Sequence, residues 1–159
     1  MTEEIKTGIG LDFHRLEPGE DLVLGGVRFD HPLGTVAHSD GDVLVHAVCD
    51  AILGAAGLGD IGKVFPDDNP AYKDISSLKL LEEVVRMVSS EGFVTGNVDA
   101  TLILESPNIN SKRDRMIEEI KQVVSAPVNL KATTTEKMGF IGQGEGIGAQ
   151  AIALIREKQ

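Results

Sequence analysis

The chain contains no tryptophan, and aromatic residues make up 4% of it. Platforms on which nucleic-acid bases stack need aromatic rings, so that class of function is disfavoured. Basic residues are scarce beside acids: 15 Lys and Arg stand against 25 Asp and Glu, a formal net charge of −10. Nonspecific nucleic-acid binding rests on neutralising phosphates with cations, so no nucleic-acid partner is expected. Cys49 is the single cysteine, which excludes an intramolecular disulfide and is easiest to reconcile with a reducing, cytoplasmic compartment. No apolar run approaches the ~20 residues of a membrane helix, so no membrane partner is expected. The opening MTEEIKTGIG lacks the apolar core of a secretory signal and the Arg- and Ser-rich character of a transit peptide. The phosphate-binding pattern G-x-x-x-x-G-K-[ST] is missing as well.

What is present fits one globular domain over residues 1–159, with 42% hydrophobic and 25% charged residues. That length buries a core without disulfides or a structural metal. A second catalytic domain is not expected at this length. Acidity does not exclude a phosphorylated substrate, because metals and backbone N–H groups bind phosphate inside acidic proteins. A divalent cation is a natural partner for such a chain.

Pattern predicts a strand over 5–13, two short strands over 21–29 around Gly25-Gly26, and a helix over about 41–57 capped by Ser39 or Asp40. The Gly- and Pro-rich stretch 57–75 reads as a loop. A helix over about 76–90, a strand over 97–105, a helix over about 109–124 and a strand over 128–134 follow. A Gly-rich loop then leads to a last strand over 147–156, with Ile147, Ala149, Ala151, Ala153 and Ile155 on its better-buried face. The order implies an α+β fold, a layered α/β sandwich in which a mixed β-sheet packs against helices.

Within GIGLDFH, Asp12 and His14 stand two apart on a strand and share a face, with Phe13 on the other. His46 falls on the predicted 41–57 helix with Asp42 and Asp50 one turn to either side. Acids near a helix N-terminus are favoured by its dipole, which accounts for Asp40 and Asp42 but not for His46 and Asp50 among apolar residues. One carboxylate and two imidazoles suit Zn²⁺ or a similar divalent transition metal, and three protein ligands leave a position open for substrate. Asp42 or Asp50 is expected to orient His46 by taking its second ring N–H. Cys49 reads as a packed small hydrophobe. In KATTTEKMGFIGQGEGIG, hydroxyls and Glu136 precede a Gly-rich turn, a pattern that serves either a phosphate and Mg²⁺ or merely a polar strand end. His31, in a turn before Pro32, receives no role.

The stretches GIGLDFHRL, LGGV, AHSDGDVLVHAVCDAILGAAGLGDIGKVFPDDNP, GNVDATLI, KATTTEKMGFIGQGEGI and AIALI resemble the 2-C-methyl-D-erythritol 2,4-cyclodiphosphate synthases of the non-mevalonate isoprenoid pathway. The resemblance extends over about residues 5–157. It implies a homotrimer with active sites between adjacent subunits, and a substrate that carries a cytidine diphosphate. The lyase reaction it implies is metal-assisted intramolecular phosphoryl transfer with release of CMP. It also implies that Asp12, His14 and His46 hold Zn²⁺ and that Glu136 holds Mg²⁺ or Mn²⁺. Thr133, Thr134 and Thr135 with Ala132 would lie beside the diphosphate and cytidine, Thr134 and Thr135 acting in catalysis. Pro107 and Ile109 belong to the implied cytosine pocket at about 104–109. His38 and Ser39 would cover the methylerythritol phosphate, and Asp60, Gly62, Phe65 and Asp67 would line the sugar pocket, the acids accepting hydroxyls. Asn69, Asn108, Gln143 and Leu11 depart from the family's usual Asp, Lys, Arg and aromatic, and the question of a ligand in the implied trimer's central cavity is left open. The rival expectations are a metal-dependent phosphohydrolase on a related nucleotide diphosphate and a non-catalytic phosphometabolite-binding trimer.

Overall fold

A computed structural model describes residues 4–159. Among the described residues, seven strands and five α-helices follow in order: β1 (Ile5–Pro18), β2 (Leu22–Leu24), β3 (Val27–Phe29), β4 (Leu33–Thr35), α1 (Val43–Ala56), α2 (Ile61–Val64), α3 (Ser77–Ser90), β5 (Phe93–Ile103), α4 (Arg113–Val124), β6 (Val128–Thr133), α5 (Gly139–Gly142) and β7 (Gly146–Glu157). Five strands form one sheet in the order β4-β1-β7-β5-β6, and β2 and β3 form a separate hairpin. Among the described residues only β5 and β6 pair in parallel, joined by the α4 crossover. The sheet is therefore mixed and the class α+β, as expected.

Helices α1, α3 and α4 pack on one face of the sheet. The strand face beneath them is built small: Ala149, Ala151 and Ala153 of β7 are fully buried. On β1, Gly8 and Gly10 lie so close to α1 that a Cβ on either would stand 2.1 Å from the Ala51 carbonyl oxygen or 1.9 Å from that of Ala47. Helix α1 thus rests on the strand backbone itself. It is buried all round rather than on one stripe, with Leu44, Val45, Cys49 and Leu53 inside as well as Val43, Ala47, Val48, Ala51 and Ile52. Cys49 is fully buried, and burial pushes its thiol well above the ordinary value, consistent with a packing role.

Several boundaries differ from expectation, each for a local reason. Asp42, not Ser39 or Asp40, caps α1, its carboxylate accepting the Val45 N–H. Strand β1 runs on to Pro18 because β4, unforeseen in a turn-rich segment, pairs with Leu16–Pro18. Strand β5 begins at Phe93 instead of 97, since a bulge between Thr95 and Asn97 breaks its alternation. Helix α4 begins at Arg113 instead of 109, and Asn108 accepts the Asn110 N–H in the turn before it. The loop 57–75 contains α2 and a 3₁₀ turn at Pro70–Tyr72, capped by the Asn69 side chain.

Candidate metal and active site

Strand alternation carries Gly8, Gly10, Asp12 and His14 on one face of β1. The two glycines seat α1 on the strand, and the next two positions of that face meet His46 on the helix. Asp12 Oδ2 lies 3.1 Å from His46 Nδ1 and 3.3 Å from His14 Nδ1. One ligand atom from each of the three falls within 4.8 Å of the others. His14 Nδ1 also lies 2.8 Å from the Phe13 carbonyl oxygen, so both its neighbours are acceptors and the nitrogen donates. The proton on Nδ1 leaves a lone pair on Nε2, which is buried and has no hydrogen-bond partner among the described residues. A divalent transition metal satisfies that orphaned nitrogen, and the donor set of one oxygen and two imidazole nitrogens fits Zn²⁺.

His46 is 6% exposed. Burial alone disfavours its charged form, but the Asp12 hydrogen bond and the charges of Asp12, Asp42 and Asp40 outweigh it and raise its pKa. Neither aspartate expected to orient His46 does so. Asp42 is fully buried and accepts the N–H groups of Gly25, Gly26 and Val45, tying the β2–β3 hairpin to α1. Asp50 accepts the Ile61 N–H, and burial raises its pKa. The outer ring nitrogen of His46 instead meets Ser77 Oγ at 2.8 Å and Ser39 Oγ at 3.1 Å.

A cavity of about 360 Å³ opens over the three ligands. His38, Ser39, Gly62, Phe65 and Asp67 line it. Asp60 does not: its carboxylate accepts the Lys63 N–H and caps α2, which carries Gly62. Leu11 and Phe13 are about half exposed on the opposite face of the sheet.

Pro107, Ile109, Ala132, Thr133, Thr134, Thr135 and Glu136 stand elsewhere. They lie on or next to β5 and β6, and β6 is the third strand from β1, on the order of 14 Å away at ~4.8 Å per strand. Ile109 is buried, whereas Ala132, Thr133, Thr134 and Glu136 are exposed. Glu136 and Lys137 both take left-handed backbone, at φ 52° and 64°. Glu105 Oε1 holds this turn, accepting from the Thr135 N–H, the Thr135 hydroxyl and the Lys137 N–H at 3.0, 3.3 and 3.2 Å. Gln143 adds a hydrogen bond from its amide to the Lys137 carbonyl. His31, given no role from sequence, bonds Ser106 Oγ through Nε2 at 2.9 Å. The two groups of expected site residues thus stand apart within one chain, toward opposite sides of its sheet.

Residues 5–156 match the model of the YgbB family. The chain belongs to the YgbB family. Curated relatives named 2-C-methyl-D-erythritol 2,4-cyclodiphosphate synthase include one from Syntrophobacter fumaroxidans, 50% identical over 96% of this chain and 98% of its own length. Another, from Azotobacter vinelandii, is 51% identical over 95% of this chain and 98% of its own. Among solved structures, a synthase of that name in its CDP-bound form superposes with a TM-score of 0.87 at 34% identity, covering 94% of this chain and 99% of that one. The bifunctional IspDF of Campylobacter jejuni superposes with a TM-score of 0.95 at 39% identity; 99% of this chain corresponds to 44% of that longer one. Membership makes the YgbB chain an enzyme of the cyclodiphosphate synthase type. Sequence reasoning passed over Ser77 and Asp40 as neighbours of His46, and placed Glu105 in the 104–109 segment without foreseeing that its side chain holds the Thr135 turn. Each acts through a contact distant in sequence, so local pattern held no signal for it.

Proposed function

We propose that this chain converts 4-diphosphocytidyl-2-C-methyl-D-erythritol 2-phosphate to 2-C-methyl-D-erythritol 2,4-cyclodiphosphate and CMP, in the non-mevalonate isoprenoid pathway. An oxygen of the 2-phosphate attacks the β-phosphorus, the bond from that phosphorus to the CMP oxygen breaks, and the ring closes. The observation that carries the reading is the convergence of Asp12, His14 and His46 at the floor of a cavity, in a chain matching this family over 5–156.

Asp12, His14 and His46 would hold a divalent transition metal, Zn²⁺ by donor type, and Glu136 would hold Mg²⁺ or Mn²⁺. When bound, these ions supply Lewis-acid polarisation of phosphoryl oxygens and neutralise charge on the departing CMP. The chain's own part is positioning. His38 and Ser39 cover the methylerythritol phosphate; Gly62, Phe65 and Asp67 wall the sugar, with the Asp67 carboxylate accepting hydroxyl hydrogens. Asp60 acts indirectly, by capping α2. Thr134 presents its hydroxyl to the diphosphate, beside Ala132 and Thr133 at the end of β6, in a turn that Thr135 braces through its N–H and hydroxyl bonds to Glu105. Pro107 and Ile109 shape the cytosine pocket.

A homotrimer unites the two half-sites, since a heterologous contact that closes into a ring sets one edge of each sheet against the next copy. The sheet face away from the helices supports this: Ile5, Ile9, Leu11, Phe13 and Ile152 are all about half exposed there. A cytoplasmic location fits the lone, buried Cys49. The test is incubation with the diphosphocytidyl substrate, Zn²⁺ and Mg²⁺, followed by ³¹P NMR. CMP with the cyclic diphosphate is the expected outcome; CMP with an acyclic phosphate product identifies a hydrolase instead.

A further inference from the structure

We propose that Ser77 and Asp40 form a one-directional hydrogen-bond relay that fixes the tautomer of His46 and turns its Nδ1 lone pair toward Asp12 and His14. The inference rests on the metal-site reading above and concerns how the third ligand is aimed.

The direction of the chain follows from donor counting. The Asp40 carboxylate only accepts. Its Oδ2 takes the Ser77 N–H at 2.9 Å, and its Oδ1 takes the Asp42 N–H at 3.1 Å as well as the Ser77 hydroxyl. The single hydroxyl hydrogen of Ser77 therefore goes to Asp40. What Ser77 Oγ can offer His46 Nε2, 2.8 Å away, is a lone pair, so Nε2 carries the proton. With Nε2 protonated, any proton on Nδ1 goes to Asp12 Oδ2, 3.1 Å away, and a bound metal would displace that proton and take the Nδ1 lone pair. The opposite tautomer would set the Nε2 lone pair against a Ser77 oxygen whose hydrogen is already committed. Ser39 Oγ, 3.1 Å from the same nitrogen, is a longer and secondary contact that itself accepts the Gly41 N–H.

The relay is also rigid. Ser77 is fully buried at the first turn of α3, and Ser76 before it makes no side-chain cap hydrogen bond among the described residues. Asp40 serves as the cap in its place, where the helix dipole favours its charge. The N-terminus of α3 thereby holds the imidazole plane from behind while Asp12 holds it from the front. Ser77 and Asp40 are positioning residues, since neither is among the atoms that converge on the metal position. Outer partners of this kind commonly set ligand orientation and basicity, at ~10–100-fold in metal affinity.

The experiment compares Zn²⁺ affinity by chelator competition, and the visible spectrum of the Co²⁺-loaded protein, for the wild type, Ser77→Ala and Ser77→Thr. Ser77→Ala is expected to lose ~10–100-fold in affinity and shift the Co²⁺ bands, while Ser77→Thr, which keeps a hydroxyl, recovers most of both. In the zinc-loaded wild type, ¹⁵N NMR of His46 is expected to show a metal-bound Nδ1 and a slowly exchanging Nε2–H. A metal-bound Nε2, or Ser77→Ala binding Zn²⁺ as tightly as the wild type, overturns the relay and leaves the metal site standing. A wild type that binds no Zn²⁺ overturns the relay and the metal-site reading together. The NMR result decides the matter even where Ser77→Ala does not fold.

Discussion

Gly10 of β1 and Ala47 of α1 are in backbone contact: a Cβ on the glycine would stand 1.9 Å from the Ala47 carbonyl oxygen and 2.8 Å from the Ala51 nitrogen. That approach sets His46, the neighbour of Ala47, beside Asp12, two positions along from Gly10. The consequence is testable with one methyl group. Gly10→Ala must displace the whole helix, because no side chain is there to rotate away. A loss of roughly 3 kcal/mol or more in urea unfolding is expected, the upper end for overpacking, with weakened Zn²⁺ binding in whatever folds. Wild-type stability in Gly10→Ala would show that α1 does not rest on the strand.

His46→Ala removes one of the three ligands and leaves the main chain hydrogen bonds of α1 intact. Zinc affinity should fall by more than the ~10–100-fold that loss of an orienting partner costs, and CMP release should fall with it. Circular dichroism should still report a helical fold. Metal analysis and a CMP assay on the same sample decide it, and CMP release by metal-free His46→Ala protein would refute the role of the site.

Glu136 is exposed in left-handed backbone, a conformation that costs a non-glycine residue about 1 kcal/mol or more and that tends to persist where function requires it. Glu136→Gly should therefore leave the melting temperature unchanged or raise it. Turnover should nonetheless drop by ~10²-fold or more, the scale of losing one group that stabilises developing phosphoryl charge. A variant that keeps turnover while gaining stability would remove Glu136 from the site.

Burial first, and the Asp40 charge second, raise the Asp42 pKa from 3.8 to about 6 against three amide hydrogen bonds that lower it. The native state then holds a proton that the unfolded chain has released. This group's contribution to stability is complete below about pH 4 and is lost as pH rises through about 6, roughly 3 kcal/mol in all. Asp42→Asn lacks the titration. The stability of the wild type minus that of the variant should fall by about that amount from pH 4 to pH 7, measured by urea midpoints. A difference that is flat or grows with pH would contradict the burial of a titrating carboxyl group.

Ile9 and Ile152 are cross-strand partners on the face away from the helices, 57% and 48% exposed. If that face joins copies into a trimer, Ile152→Glu should lower the mass measured by light scattering and abolish turnover. Zinc content should survive, since Asp12, His14 and His46 come from one chain. A dissociated Ile152→Glu protein that still makes the cyclic diphosphate would show that each chain carries a whole site.

Much of the site was legible from local pattern. Asp12 and His14 share a strand face because alternation has a fixed period, and His46 lies on a helix because its neighbours recur at helical spacing. The alternating Ile147 to Ile155 of β7 likewise announced its buried face. Less legible were elements whose pattern is broken: the bulge in β5 hid four residues of strand, and β4 is too short to carry a period. The acids near His46 misled, because spacing along a helix says where a carboxylate can reach but not what reaches it first. Asp42 meets amides from a hairpin 16 and 17 residues earlier, and Asp50 meets one from α2.

By itself, the amino-acid sequence determined the class of the fold, the three residues that converge on the candidate metal position and the family, since each rests on residue type, short-range period and local motif. Tertiary structure alone decided which nitrogen of His46 faces Asp12, because Ser77 lies 31 residues away and reaches the ring only through the packing of α3 on α1. It also decided that Glu136 and its threonines stand three strands from Asp12. Strand order in a sheet is set by long-range pairing, which leaves no mark on the spacing of residues along the chain.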